Sequence, residues 1–145
     1  MADKEALKGQ LFDMFRNMEE EGLVDVHFRL VYSLKEVNGP NFYVELLETF
    51  LSDSQTTIRE MTQILEQPTM NYYELNELCM KIKGGSACLG ACRMAHACGA
   101  LRQAINEQSK QRCIASVEAI KTEFLRVREK LENITQLERI IISLD

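Results

Sequence analysis

At 145 residues, with 46% hydrophobic and 27% charged side chains, the chain has the size of one domain and enough apolar surface to bury a core, which excludes a disordered or fibrous chain. Two prolines and seven glycines are too few turn formers for a β-sandwich, so an all-α fold is expected. A net charge of −5 leaves no basic stripe for nucleic acid, no apolar run reaches the roughly 18–20 residues that span a bilayer, and MADKEALKGQ holds no apolar signal region; a soluble, intracellular protein without direct nucleic-acid or membrane partners is expected.

Leu7, Leu11, Met14 and Met18 recur at the spacing of one helical face, and Gly22 follows as a stop. Phe28, Val31, Leu34 and Val37 repeat the pattern in a short second helix, ended by Asn38-Gly39-Pro40, with Pro40 suited to the first turn of the next helix. From Phe42, the positions Tyr43, Leu46, Leu47, Phe50, Ile58, Met61 and Leu65 sustain a long third helix up to Gln67-Pro68. A fourth carries Leu75, Leu78, Cys79, Ile82 and Leu89 and breaks at Gly90; a fifth uses Met94, Cys98, Leu101 and Ile105. The sixth and longest runs through Cys113, Val117, Ile120, Phe124, Val127, Leu131, Ile134 and Ile141, nearly a heptad seam. Short polar connections favour antiparallel neighbours. The expected architecture is therefore a single domain over 1–145, in which 40–142 form an up-and-down four-helix bundle and two short helices within 1–37 form a cap.

On the fourth helix, at about 100° per residue, the apolar positions centre on Leu75, Ile82 and Ser86. Met80 falls opposite them, on an outward strip with Tyr73, Asn76, Gly84 and Ala87, and with Lys83 at its border. Mid-helix glycine costs about 1 kcal/mol relative to alanine, so the pair Gly84-Gly85 invites a reason beyond a loosened helix end. Clearance is one: Gly84, four residues after Met80, lets another molecule approach position 80, and Lys83 sets an ammonium beside it, suited to an acidic or phosphorylated partner.

The run from Lys83 to Ala91, Lys-Gly-Gly-Ser-Ala-Cys-Leu-Gly-Ala, resembles the Lys-Gly-Ser-Ser-Ser-Ser-Ile-Gly-Ala segment that follows the phosphorylated histidine of plant histidine-containing phosphotransfer (HPt) proteins. The likeness extends through Arg93, Cys98, Leu101, Arg102 and Cys113, and back through Phe28, Pro40, Phe42, Glu45, Phe50, Asp53 and Ser54. It implies the HPt helical bundle and, in the family motif His-Gln-x-Lys-Gly, an acceptor histidine three residues before the lysine. Counting back from Lys83 gives Met80, with Lys81 in place of the usual glutamine; Gly85 and Ala87 stand where serines are usual. The docking surroundings look kept while the nucleophile is gone.

Phosphoryl transfer from an aspartyl phosphate needs an unprotonated nitrogen or oxygen nucleophile held in line, and a methionine thioether forms no stable phosphoryl adduct. Neither Lys81, a cation, nor Ser86, inward-facing without a base, replaces it. His96 lies off the apolar stripe of the fifth helix and reads as a surface residue. His27 lies in the second helix, where, by the resemblance, part of the receiver-docking surface is built.

The resemblance thus implies a non-catalytic pseudo-HPt protein of a multistep cytokinin phosphorelay. It would bind receiver domains of sensor histidine kinases or response regulators through Tyr73, Asn76, Met80, Lys81, Lys83, Gly84, Ala87 and His27, accept no phosphate, and act as a negative regulator. Two alternatives stand beside it. One is an active phosphorelay mediator in which Met80 is an artificial or erroneous replacement of histidine, against which the neighbouring changes at Lys81, Gly85 and Ala87 speak. The other is a metal or redox site from Cys88, Cys92 and His96, spaced by four, which needs a helix unbroken at Gly90. The five cysteines, an odd number with no Cys-x-x-Cys pair, read as thiols. No cofactor or metal is expected, and the protein is expected to be a monomer. By the resemblance it occupies cytoplasm and nucleus, since a 16.7 kDa chain diffuses between them.

Overall fold

Side-chain caps start four of the helices, with Asp25 among the capping residues. In the computed structural model, which describes residues 3–145, Asp3 Oδ1 accepts from the Glu5 amide at 3.1 Å and opens α1 (Lys4–Glu20). Met1 and Ala2, the first two residues of the expected domain, lie outside the described residues. Asn71 caps α5 (Tyr72–Leu89) through the Glu74 amide at 3.0 Å, and Ser109 caps α7 (Lys110–Ser143) through the Arg112 amide at 3.3 Å. Between them lie α2 (Val26–Ser33), α3 (Lys35–Asn38), α4 (Phe42–Leu65) and α6 (Cys92–Asn106). All regular structure among the described residues is helical.

The six-helix plan is present, with the second helix in two pieces. Val31 is half-buried, but Leu34, where α2 ends, is 46% exposed and Val37 is 85% exposed. These two apolar residues, expected on the inward face, point out, because the chain turns at Leu34 and loses the register of α2. Pro40 sits in the turn ahead of α4 rather than in its first turn. The first helix is longer than the short cap expected, running 17 residues along α7.

Helices α4 to α7 make the antiparallel bundle, α5 and α6 being joined by only Gly90 and Ala91 and the ring closing where α4 meets α7. Two apolar clusters fill the molecule. One lies wholly within the bundle and includes Met61, Leu75, Cys79, Met94, Leu101 and Ile120. The second joins α1 and α2 to the first half of α4 and the second half of α7, around Leu11, Phe15, Phe28, Tyr43, Leu131 and Ile134. At 34 residues, α7 is long enough to serve both. Among the described residues no helix is long and apolar enough to cross a membrane.

Candidate functional site

Helix α5 ends at Gly90, in the left-handed conformation with φ +86°. The Ala91 amide returns to Ser86 O at 2.8 Å, and the Asp25 amide donates to Gly90 O at 2.9 Å, so the start of α2 is fastened to the end of α5. A Cβ at Gly90 would overlap the Phe28 amide nitrogen and lie 2.9 Å from Asp25 Oδ1. This close crossing puts His27 at the C-terminal end of α5. Its amide and its Nδ1 both lie within hydrogen-bond reach of Asp25 Oδ1, at 2.9 and 3.0 Å, which holds the ring at the surface.

The inward face of α5 carries Leu75, Cys79, Ile82, Ser86 and Leu89, all buried. The opposite side is open. Met80 is 51% exposed and Tyr73 76% exposed, and Lys81, Lys83, Gly84 and Ala87 are exposed as well. Asn76 is half-buried and directs its amide at Met80, Nδ2 to Sδ 3.8 Å. The expected strip is therefore contiguous. Lys83 and Lys81 take no ion-pair partner among the described residues, which leaves two uncompensated ammonium groups one and three residues after Met80.

Beneath the strip, among the described residues, no hydroxyl or imidazole is arranged as a nucleophile. Ser86 is fully buried and its hydroxyl has no hydrogen-bond partner, so no base stands beside it. Cys79, next to Met80, points inward and donates to Cys98 O at 3.3 Å. Cys98 is pushed up by its hydrogen bond with Cys79 and by burial, and Cys113 by burial, while the same hydrogen bond holds Cys79 down; all three side chains are buried, out of reach of a docking partner. All five cysteines are free. His96 is exposed on α6. Because Gly90 separates the helices, Cys88 sits on α5 while Cys92 and His96 sit on α6, so the three do not share one helical face. Among the described residues no group of three His, Cys, Asp or Glu side chains is placed to hold a metal ion.

Sequence periodicity did not reveal a groove along the α4 side of the strip. Lys81 and Gly85 line it with Cys88, facing Leu46, Phe50 and Asp53 of α4. Lys81 thus borders both the strip and the groove. The signal available was Gly85, but the space depends on how far α4 stands from α5, which no single helix encodes.

The profile of the Hpt domain matches residues 45–136, from the first turn of α4 to the last third of α7. Histidine-containing phosphotransfer protein 2 of Oryza sativa subsp. japonica is 30% identical over 141 residues, covering 97% of this chain and 95% of its own length. Pseudo histidine-containing phosphotransfer protein 2 of the same plant is 28% identical over 133 residues, covering 92% and 88%. The X-ray structure of a histidine-containing phosphotransfer protein from rice superposes with a TM-score of 0.91 at 29% identity, over 97% of this chain and 99% of that one. Relatives of both kinds stand at nearly equal identity, so the distinction between carrier and pseudo-carrier falls to the residues of the α5 strip.

Proposed function

The chain belongs to the Hpt domain family and to its plant histidine phosphotransfer proteins, which work in two-component phosphorelays, and from that premise we propose that it is a pseudo-HPt protein that docks receiver domains without taking their phosphate. Met80 carries this reading. Its half-exposed thioether lies on the open strip, three residues before Lys83 and four before Gly84, where the family motif has its acceptor histidine. A thioether sulfur has no ionisable proton to release and would carry a full positive charge after phosphorylation, so the adduct would not persist. The clearance at Gly84 and the ammonium of Lys83 serve docking whether or not a phosphoryl group moves.

The partners are receiver domains of sensor histidine kinases and response regulators, in the cytokinin phosphorelay by family likeness, and the chain works as a monomer in cytoplasm and nucleus. Occupying a receiver without relieving it of phosphate makes this chain a competitor of active carriers. Inhibition then follows abundance: the free receiver falls about tenfold when free competitor exceeds its dissociation constant about ninefold. The protein is a negative regulator on this reading.

A phosphorylated receiver domain carrying radiolabel, mixed with the unmodified chain and with Met80→His, tests it. The unmodified chain should form the complex and take no label, while Met80→His gains label if the rest of the strip still presents position 80 in line. Label on the unmodified chain, or failure to bind any receiver in a panel from one plant, overturns the reading. Natural transcripts should encode methionine at position 80; histidine there would favour the active-carrier alternative.

A further inference from the structure

A methionine sulfur that solvent reaches can be oxidised to the sulfoxide, and the reaction selects among methionines by access. Among the described residues Met18, Met61 and Met94 are buried and Met14 and Met70 are half-buried, whereas Met80 is 51% exposed and the most open of them. The surface one turn further along α5 is empty, since a Cβ added at Gly84 would meet nothing within 4 Å. A small oxidant therefore reaches the Met80 thioether without displacing any part of the chain.

The polar groups around the sulfur suit its oxidised form better than the thioether. Asn76 aims its Nδ2 at Met80 Sδ from 3.8 Å. A thioether is a weak acceptor and leaves that donor poorly satisfied, whereas oxidation turns the same side chain polar and gives it an oxygen to accept with. Lys83, three residues after Met80 on the helix surface, has no ion-pair partner among the described residues and sets a second donor beside the same position.

We propose that Met80 is a reversible oxidation site, at which hydrogen peroxide converts the thioether to the sulfoxide and the oxidised chain releases its receiver domain. The sulfur lone pair attacks one peroxide oxygen, the O–O bond breaks as the S–O bond forms, and the other oxygen leaves as water with both hydrogens. Sulfur loses two electrons and the peroxide gains them. The inference rests on the receiver-binding reading above and adds a control upon it. The docking strip then presents the oxygen end of an S–O dipole where it had an apolar contact, which removes apolar burial and turns negative partial charge toward an acidic or phosphorylated partner. A methionine sulfoxide reductase, drawing two electrons from a dithiol, takes the oxygen off as water and restores the thioether. The competitor thus withdraws under oxidising conditions and returns when they pass.

The test treats the unmodified chain with a graded dose of hydrogen peroxide, maps the added oxygen by peptide mass and then titrates in a receiver domain. Dithiothreitol applied before the titration returns reversibly oxidised Cys88 and Cys92, the two cysteines that are not buried, and leaves the sulfoxide in place. Met80 should gain one oxygen at a dose that spares Met61 and Met94. Binding should then weaken about tenfold with an unchanged thermal melt, the worth of one apolar contact made polar, and a methionine sulfoxide reductase should restore it. Met80→Leu, compared with itself before and after the same dose, should show no fall. Oxidation of Met14 or Met70 ahead of Met80, unchanged affinity at full conversion of Met80, or a loss that the reductase does not reverse overturns the proposal. In each of those cases the untreated chain still binds and the receiver reading survives. If the untreated chain binds no receiver, that reading fails and this inference falls with it.

Discussion

Tyr43 brings a hydroxyl into an aromatic cluster and finds no hydrogen-bond partner for it. Its ring lies edge-on to Tyr32 at 4.9 Å, and Phe15 packs edge-on against Phe28 and Tyr32, at 5.3 Å each. Burial, and then nearby Glu138, push the Tyr32 phenol up; burial, and then Tyr32 itself, push Tyr43 well above the ordinary phenol range. A phenol whose folded pKa lies above its unfolded value of about 10 favours folding fully below that pH and loses that contribution as pH rises through it. Urea midpoints should therefore hold through pH 9 and fall above about pH 10. Tyr43→Phe keeps the ring and removes an unpaired polar atom, so it should be neutral or stabilising by about 1 kcal/mol at pH 7 and should flatten the alkaline fall. A loss of more than about 2 kcal/mol at pH 7 would mean that the hydroxyl is paired.

Among the elements, the crossing of α2 over the end of α5 depends most on a single residue. Gly90→Ala meets two penalties together: left-handed backbone, about 1–2 kcal/mol for a residue with a Cβ, and overlap with the Phe28 amide. The variant should lose more than about 2 kcal/mol in urea unfolding, with amide exchange rising first at the start of α2. Gly90 was readable as a helix stop, but its second role as a seat for α2 was not, because that depends on a residue far away in sequence. The same divide runs through the rest of the molecule. Apolar spacing marked α4 to α7 because Leu75, Met94, Leu101 and Ile120 are buried wherever the period puts them inside. It misplaced Leu34 and Val37, where tertiary packing ends a short helix before its own pattern ends. The Met80 strip was legible since exposure on one helix follows from its own period, whereas the groove arises between two.

Across the whole molecule, the cap is held to the bundle by burial and by one buried charge. Glu138 has a fully buried side chain on α7, at a position where the apolar seam leads one to expect a hydrophobic residue, and Lys35 of α3, 103 residues away, is its ion-pair partner. Lys35 also lies 4.9 Å over the Tyr32 ring. Lys35→Met leaves Glu138 buried without its cation and should cost about 3–5 kcal/mol in chemical denaturation, whereas replacing both partners, Lys35→Met with Glu138→Leu, should recover most of it. Equal losses in single and double variants would show that packing rather than charge holds α3 there. None of these residues lies on the Met80 strip, so changes in receiver binding by the Lys35 and Glu138 variants should follow the fraction folded.

The reach of α7 across both apolar clusters sets an order of events for a growing chain. Leu11, Phe15 and Met18 of α1 belong to the cluster completed by Leu131, Ile134 and Ile141, and the pair between Lys4 and Asp145 joins points near the two ends of the described chain. Closing so long a span is entropically dear until the helices between have docked, so the bundle of α4 to α7 is expected to assemble before α1 settles against α7. During synthesis the apolar face of α1 has only the partial cover of Phe28, Tyr32 and Tyr43 until residues 131–141 of α7 are made. Holdase chaperones have their best opportunity to engage this protein in that interval, and α1 is the segment for them to grip.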